Sequence, residues 1–283
     1  MRSVAYLAVS ARKVLQRQGT ACPSCGQNAA AEVVDRKWVV TTLRRCPRCS
    51  LLFRTPTTTA DENARIYQRQ YRQGSTTDLP DEAELQRLLA TRFRSSPHDF
   101  SDYLAVLSAA GVPAGARVLD FGCSWGYGAV QLQAAGYDVC GYEISVPRAR
   151  FAADRLGVRM GEPATMPDRS FDVFFSAHVL EHVPSVNAVL ALAERLLRPG
   201  GWFVAFTPNG SLERRALDPG GWHQQWGFVH PQLLDRGWLE RVATNRQIGA
   251  DTTPYDLAAI AAGRPAGKFT GAELMILLRT PPA

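Results

Sequence analysis

Residues 117–129, RVLDFGCSWGYGA, constrain the chain more than any other stretch. Val118-Leu119-Asp120-Phe121 reads as a buried strand that breaks into a turn at Gly122, Gly126 and Gly128, with a helix beginning near Ala129. A strand, a glycine loop and a helix in that order aim backbone N–H groups and a helix N-terminus at a ligand. The spacing is D-x-G-x-x-x-G-x-G, not the G-x-G-x-x-G of dinucleotide sites. The acid at the strand end would repel a pyrophosphate. It would suit a ligand carrying an amino group or a positive charge.

Strand and helix patterns continue to alternate. Strands are expected at 137–143, 158–160, 170–176, 202–206 and 272–279, and helices at 147–157 and 187–198. Glu143 closes the second strand, where a carboxylate can accept two hydrogen bonds from a vicinal diol. Together with GEPATMP at 161–167 and LLRPGGWFVAFTPN at 196–209, these pieces resemble, in order, the class I S-adenosylmethionine (SAM) methyltransferases. The resemblance runs from about 118 to 209. It implies an α/β, Rossmann-like doubly wound sheet. It also implies a SAM site drawn from Asp120, Gly122, Cys123, Gly126, Gly128, Glu143, Glu162 and Ser176, with Glu143 at the ribose and Glu162 at the adenine amino group. An NAD-binding domain would want the other glycine spacing and a hydride-transfer residue, and the chain has neither.

Four of the six cysteines form two knuckles, Cys22-Pro-Ser-Cys25 and Cys46-Pro-Arg-Cys49, spaced C-x2-C-x20-C-x2-C. That spacing marks a tetrahedral zinc site. The intervening residues are β-rich and fit a hairpin, so 20–56 read as a zinc ribbon. Four thiolates leave no open position, which makes the zinc structural. Two disulfides or a redox pair are the rivals, disfavoured without a secretion signal. Cys123 and Cys140 read as small packed residues.

Residues 1–19 are basic and carry apolar positions at helical spacing, so they read as an amphipathic helix, and residues 57–110 as a helical linker or lid. Within that linker, helices are expected near 63–70, 81–93 and 99–110, around a polar segment at 67–81. Residues 111–283 complete the SAM-binding domain. No apolar run reaches the ~18–20 residues of a membrane span. The net charge of +6 is spread along the chain, which reads as a solvated surface and a cytoplasmic protein.

Acceptor chemistry is expected just after the fourth strand, in SAHVLEHVP at 176–184. Read as a helix, this places His178 and His182 four apart on one face, with Glu181 beside them. His178 is then a candidate general base. Alternatively His178, Glu181, His182 and the later His230 bind a metal. That pattern is similar to small-RNA 2′-O-methyltransferases, with His178 where their Glu-x-x-Glu-His has its first Glu. The third reading is structural packing by Glu181-His182-Val183. GGWHQQWGFVHP at 220–231 reads as a ligand-stacking loop that brings His230 to the acceptor, ahead of a helix at 232–243. No Asn/Asp-Pro-Pro-Tyr/Phe follows the fourth strand, which argues against exocyclic amines and leaves O- or C-methylation.

The whole resembles deoxysugar C-methyltransferases and related sugar, polysaccharide and secondary-metabolite enzymes. It implies a SAM-dependent methyltransferase with a small-molecule acceptor. One alternative is an rRNA methyltransferase whose ribbon meets phosphate through Arg44, Arg45, Arg48 and Arg54. The other is a SAM-sensing scaffold without turnover.

Overall fold

The computed structural model describes residues 2–28, 31–69, 77–242, 247–264, 267 and 269–282. The chain opens with helix α1 (Arg2–Leu15), then strands β1 (Glu32–Lys37), β2 (Thr41–Arg45) and β3 (Leu52–Thr55). Helices α2 (Ala60–Arg69), α3 (Glu82–Ala90) and α4 (Ser101–Ala109) follow. Residues 70–76 of the expected polar segment at 67–81 lie outside the described residues. Asp81 caps α3 by accepting the Glu84 N–H at 2.9 Å, as an N-terminal acid should.

The main sheet is built from β4 (Arg117–Phe121), β5 (Asp138–Tyr142), β6 (Arg159–Met160), β7 (Phe171–Ala177), β8 (Leu197–Pro208), β10 (Gln247–Thr252) and β11 (Glu273–Arg279). Between them lie α5 (Tyr127–Ala134), α6 (Val146–Leu156), α7 (Val186–Leu196), α8 (Leu212–Leu217), α9 (Pro219–Gln224), the short strand β9 (Gln232–Leu233), α10 (Arg236–Val242) and α11 (Leu257–Ala261). The order is β10-β11-β8-β7-β4-β5-β6, with β11 alone running against the rest. Chain order reverses between β4 and β7, which opens a crevice at their C-terminal ends.

The sheet is covered on both faces, and its residues alternate accordingly. Leu119, Phe174, Ala205 and Ile276 join one buried cluster, while Val118, Phe175, Val204 and Met275 join the other. In α7, Val186, Val189, Leu190, Ala193 and Leu196 recur at helical spacing and bury the stripe that faces the sheet. Strand β10, which carries Gln247, Gly249, Asp251 and Thr252, had no strand signature in the sequence; its pairing with β11 makes it a strand.

β1 and β2 form the expected hairpin, turning through Trp38 and Val39, both left-handed at φ 57° and 60°. Residues 52–55, within the expected ribbon, add its third strand. One expectation fails beyond it. Residues 232–233 do not start a helix; they pair with β3 as its fourth strand. Gln232 is held there because its side-chain amide also donates to the Leu180 and Val183 carbonyls, at 2.7 and 2.8 Å. The helix starts later, where Asp235 accepts the Trp238 N–H at 2.8 Å. The ribbon is therefore sewn to the main sheet: Cys22, Cys46, Leu51 and Phe53 share a buried cluster with Leu119 and Phe174. Asn187 at the start of α7 exchanges hydrogen bonds with Ser24 in the first knuckle.

Candidate functional site

The turns after β4, β5 and β7 border a cavity of about 750 Å³. Gly122 begins the first turn at φ +83°, and a Cβ there would lie 2.4 Å from Val179. Glycine is required for the β4 turn to pass beneath the β7 turn. Its N–H groups are used differently from expectation. Those of Gly122 and Cys123 donate to the Tyr142 carbonyl at 2.8 and 2.9 Å, and that of Ser124 donates to Glu143 at 3.0 Å. They clamp β5 to β4 rather than waiting for a ligand.

Glu143 lines the cavity, and its second oxygen accepts the Ser145 N–H at 2.8 Å. Two backbone donors fix the carboxylate and leave lone pairs for a diol. Burial raises its pKa, and the backbone donors oppose the shift. Asp120 is 3% exposed and its Oδ2 has no hydrogen bond. Burial first, and the Glu143 charge second, push it up to about 7.

The remaining predicted SAM residues divide. Gly126 caps α5, and Gly128 lets α5 approach α4, because a Cβ there would lie 2.3 Å from the Phe100 ring. Cys123 is buried with its sulfur against Gly141. Ser176 is wholly buried within β7 with an unpartnered Oγ. Glu162 is exposed ahead of a 3-10 turn at Pro163–Thr165. Of this set, Gly122 and Glu143 border the cavity. The sequence reading missed Tyr103, Tyr127, Tyr142 and Arg148 on the cavity wall.

Residues 178–184 are not helical. His178 is left-handed at φ +54°, and the chain then turns toward Pro184. The two histidines therefore part company. His178 Nε2 meets Glu273 at 2.5 Å and its Nδ1 lies 3.3 Å from Glu181. Burial alone would lower His178, but the hydrogen bonds and charges of these two carboxylates raise it to about 10. That shift favours the imidazolium form, which weighs against the general-base reading of His178. Glu273 is 95 residues away in the chain and also accepts from Tyr103 and Tyr255, so no local pattern could announce it.

Glu181, His182 and His230 come together instead. Glu181 is 1% exposed, and its Oε2 accepts from Thr207 at 3.0 Å. Burial would raise its pKa, but the His178 hydrogen bond and the neighbouring histidines hold it at about 2. His182 Nδ1 donates to the Val229 carbonyl at 2.8 Å, and burial pushes the ring down to about 4, so it is neutral. His230 Nδ1 donates to the Gln225 carbonyl at 2.6 Å. The three donor groups lie within 4.8 Å of one another, on the cavity wall. A neutral imidazole beside a carboxylate can accept a proton or hold a cation.

The four knuckle sulfurs converge as well. Cys22 and Cys49 are 3.6 Å apart and Cys25 and Cys46 3.5 Å. Zinc–sulfur bonds of about 2.3 Å make tetrahedron edges of about 3.8 Å, so the donor set fits a four-thiolate metal site. Of the four neighbouring arginines Arg48 is exposed, and the other three face inward. Arg45 pairs with Asp235 at 2.8 Å, and Arg44 donates to Thr55 at 3.1 Å. Arg54 is 3% exposed and donates to the Gly227 and Phe228 carbonyls at 2.8 and 3.2 Å.

A family model described as "Methyltransferase domain" matches residues 82–248. A protein of Paramagnetospirillum magneticum named ubiquinone biosynthesis O-methyltransferase is 34% identical over 153 residues, or 47% of this chain and 61% of the relative. One of Bordetella avium with the same name is 29% identical over 202 residues, or 60% of this chain and 81% of the relative. The chain thus spans less than two thirds of the first relative's length. Phosphoethanolamine N-methyltransferase 2 of Haemonchus contortus, solved with S-adenosyl-L-methionine, aligns at TM-score 0.47 and 17% identity, over 74% of this chain and 61% of that one. Among the described residues, no helix is long and apolar enough to cross a membrane.

Proposed function

The chain belongs to the methyltransferase-domain family, and from that premise we propose that it moves the methyl group of SAM to a hydroxyl oxygen of a small molecule bound in the cavity. The observation that carries this reading is that Glu143 and the Glu181–His182–His230 corner border one and the same cavity. The O-methyltransferase names of the relatives support it.

SAM supplies a methyl group already activated on a sulfonium, so the protein's task is to place and prepare the acceptor. Glu143, fixed by two backbone donors, would hold the ribose hydroxyls. Asp120 is buried outside the cavity lining, so any pull on the ligand's ammonium would act at a distance. Val183, Val189 and Leu192 give the far wall an apolar surface for the body of the acceptor. The acceptor hydroxyl must lose its proton as its oxygen takes the methyl. With His178 shifted toward its imidazolium form, we assign that task to the corner. Zinc on Cys22, Cys25, Cys46 and Cys49 would be structural, because all four positions are filled by thiolates.

The RNA reading is disfavoured because Arg44, Arg45 and Arg54 spend their guanidiniums inside the protein, which leaves Arg48 alone of the four exposed. The test is methyl-labelled SAM with a panel of phenols, sugar nucleotides and structured RNA. Label in a phenolic or sugar hydroxyl supports the proposal. Label in RNA alone, or tight SAM binding with transfer to none of them, overturns it.

A further inference from the structure

We propose that Arg54, in the third strand of the ribbon, is a positioning residue that holds His230 at the acceptor side of the cavity. The inference rests on the reading of His230 as part of the acceptor corner, and it gives the ribbon a task at that corner.

His230 has no regular element to carry it. It lies in a loop between α9, which ends at Gln224, and β9, which begins at Gln232. Gln225 and His230, near the two ends of that loop, both border the cavity. Every carbonyl from Gln225 to Pro231 nevertheless accepts a hydrogen bond. The His230 ring takes that of Gln225 at 2.6 Å, and the His182 ring takes that of Val229 at 2.8 Å. The Gly227 N–H closes the loop on the His230 carbonyl at 2.9 Å, and Lys37 at the end of β1 holds Trp226. The other three belong to Arg54. Its guanidinium donates to the Gly227 and Phe228 carbonyls at 2.8 and 3.2 Å, and its backbone N–H donates to that of Pro231 at 2.7 Å. One residue thus grips the chain on both sides of His230.

The rest of the guanidinium is also committed. Nε donates to the Pro56 carbonyl at 3.3 Å, and Nη2 donates to Thr58. The ring of Tyr6 in α1 lies 5.2 Å from the guanidinium and 4.8 Å from the Phe228 ring. Glu62, the carboxylate whose charge acts on Arg54, is paired with Lys13 at 2.6 Å instead. Arg54 is 3% exposed, and a buried cation answered by carbonyls costs stability that an apolar side chain would not. What it supplies is geometry. A flat guanidinium fork fixes several acceptors at once, where a lysine ammonium acts as a point charge. The loop shape it imposes keeps His230 Nδ1–H on the Gln225 carbonyl, which leaves Nε2 as the nitrogen able to accept a proton.

The test is nitrogen-15 NMR of the full chain, supplied with zinc and labelled at histidine, at about pH 8, above the ordinary histidine range. The His230 signals are those missing from His230→Gln. In the unaltered chain they should show one protonated and one bare ring nitrogen. Arg54→Leu should draw the two toward a common average as the tautomers exchange, while SAM affinity by calorimetry is unchanged. Arg54→Lys, which keeps the charge without the fork, should do the same. Arg44→Leu loses ribbon hydrogen bonds to Thr55 and Ala31 but none to the loop, so it should leave the His230 signals as they were. His230 signals unchanged in Arg54→Leu, an equal change in Arg44→Leu, or loss of SAM binding in both Arg54 variants overturns the proposal, since each reduces Arg54 to general support of the ribbon or the fold. With a methylated acceptor in hand, kcat in Arg54→Leu should fall about tenfold or more with KM for SAM unchanged. Averaged His230 signals with kcat unchanged, or with no acceptor methylated, uphold the positioning role and remove instead the part given to His230 in methyl transfer.

Discussion

His178 and Glu273, 95 residues apart in the chain, meet at 2.5 Å between Nε2 and Oε2. With Glu181 on its other side, the imidazole is held as a cation between two carboxylates. An unfolded histidine titrates near 6.5, and the folded one near 10. The stability this cation lends is complete below about 6.5 and disappears as pH rises through about 10. The difference in Tm between the unaltered chain and His178→Gln should therefore shrink from pH 8 to pH 10. A difference that grows with pH would refute the ion-pair assignment.

Asp120 has the opposite sign. Its pKa is raised from about 3.9 when unfolded to about 7 by burial and the Glu143 charge. The folded state then binds the extra proton, so stability falls as pH rises from about 4 to 7. Asp120→Asn should flatten that slope in denaturant titrations. An unchanged slope would show that Asp120 titrates normally.

Glu143→Ala removes the carboxylate held by Ser124 and Ser145. Hydrogen bonds to a charged group are worth about 1.5–3 kcal/mol each, so SAM affinity should fall at least tenfold by calorimetry. Unchanged affinity would move the ribose elsewhere.

Local form betrayed some of this and concealed the rest. Gly122 and the two Cys-x-x-Cys knuckles were legible because a tight turn or a metal dictates residue types within a few positions. The pleat alternation along β4, β7 and β8 was legible for the same reason. The role of Gly128 was hidden, since its small size answers Phe100, 28 residues earlier. The His178–His182 spacing misled, because a left-handed residue and a following proline replace the helix that spacing suggests. β9 has two residues, too few for any periodic signal, and exists because β3 offers it an edge.

That edge would carry the loss of a metal from the four knuckle cysteines beyond the ribbon. β9 pairs with β3, and Arg54 holds the Gly227 and Phe228 carbonyls just ahead of His230. Chelation should speed hydrogen exchange in β1, β2, β3 and the residues up to His230, while β4 and β5 stay protected. Arg54→Leu should destabilise the same loop by about 1–3 kcal/mol for each orphaned carbonyl. Protection retained at 226–233 in the chelated protein would uncouple the ribbon from the acceptor wall.

Gly122→Ala should cost about 1–3 kcal/mol from overpacking, because its Cβ would meet Val179. Adding Val179→Ala should recover part of that loss in a double-mutant cycle. Strict additivity would mean that the two turns do not press on each other.

The central claim is that one cavity holds the methyl donor beside the Glu181–His182–His230 corner. A crystal structure with S-adenosylhomocysteine tests it most directly. The predicted result places the ribose hydroxyls on Glu143 and the sulfur facing Glu181, His182 and His230. A ribose bound away from Glu143, or a sulfur turned away from that corner, would contradict it.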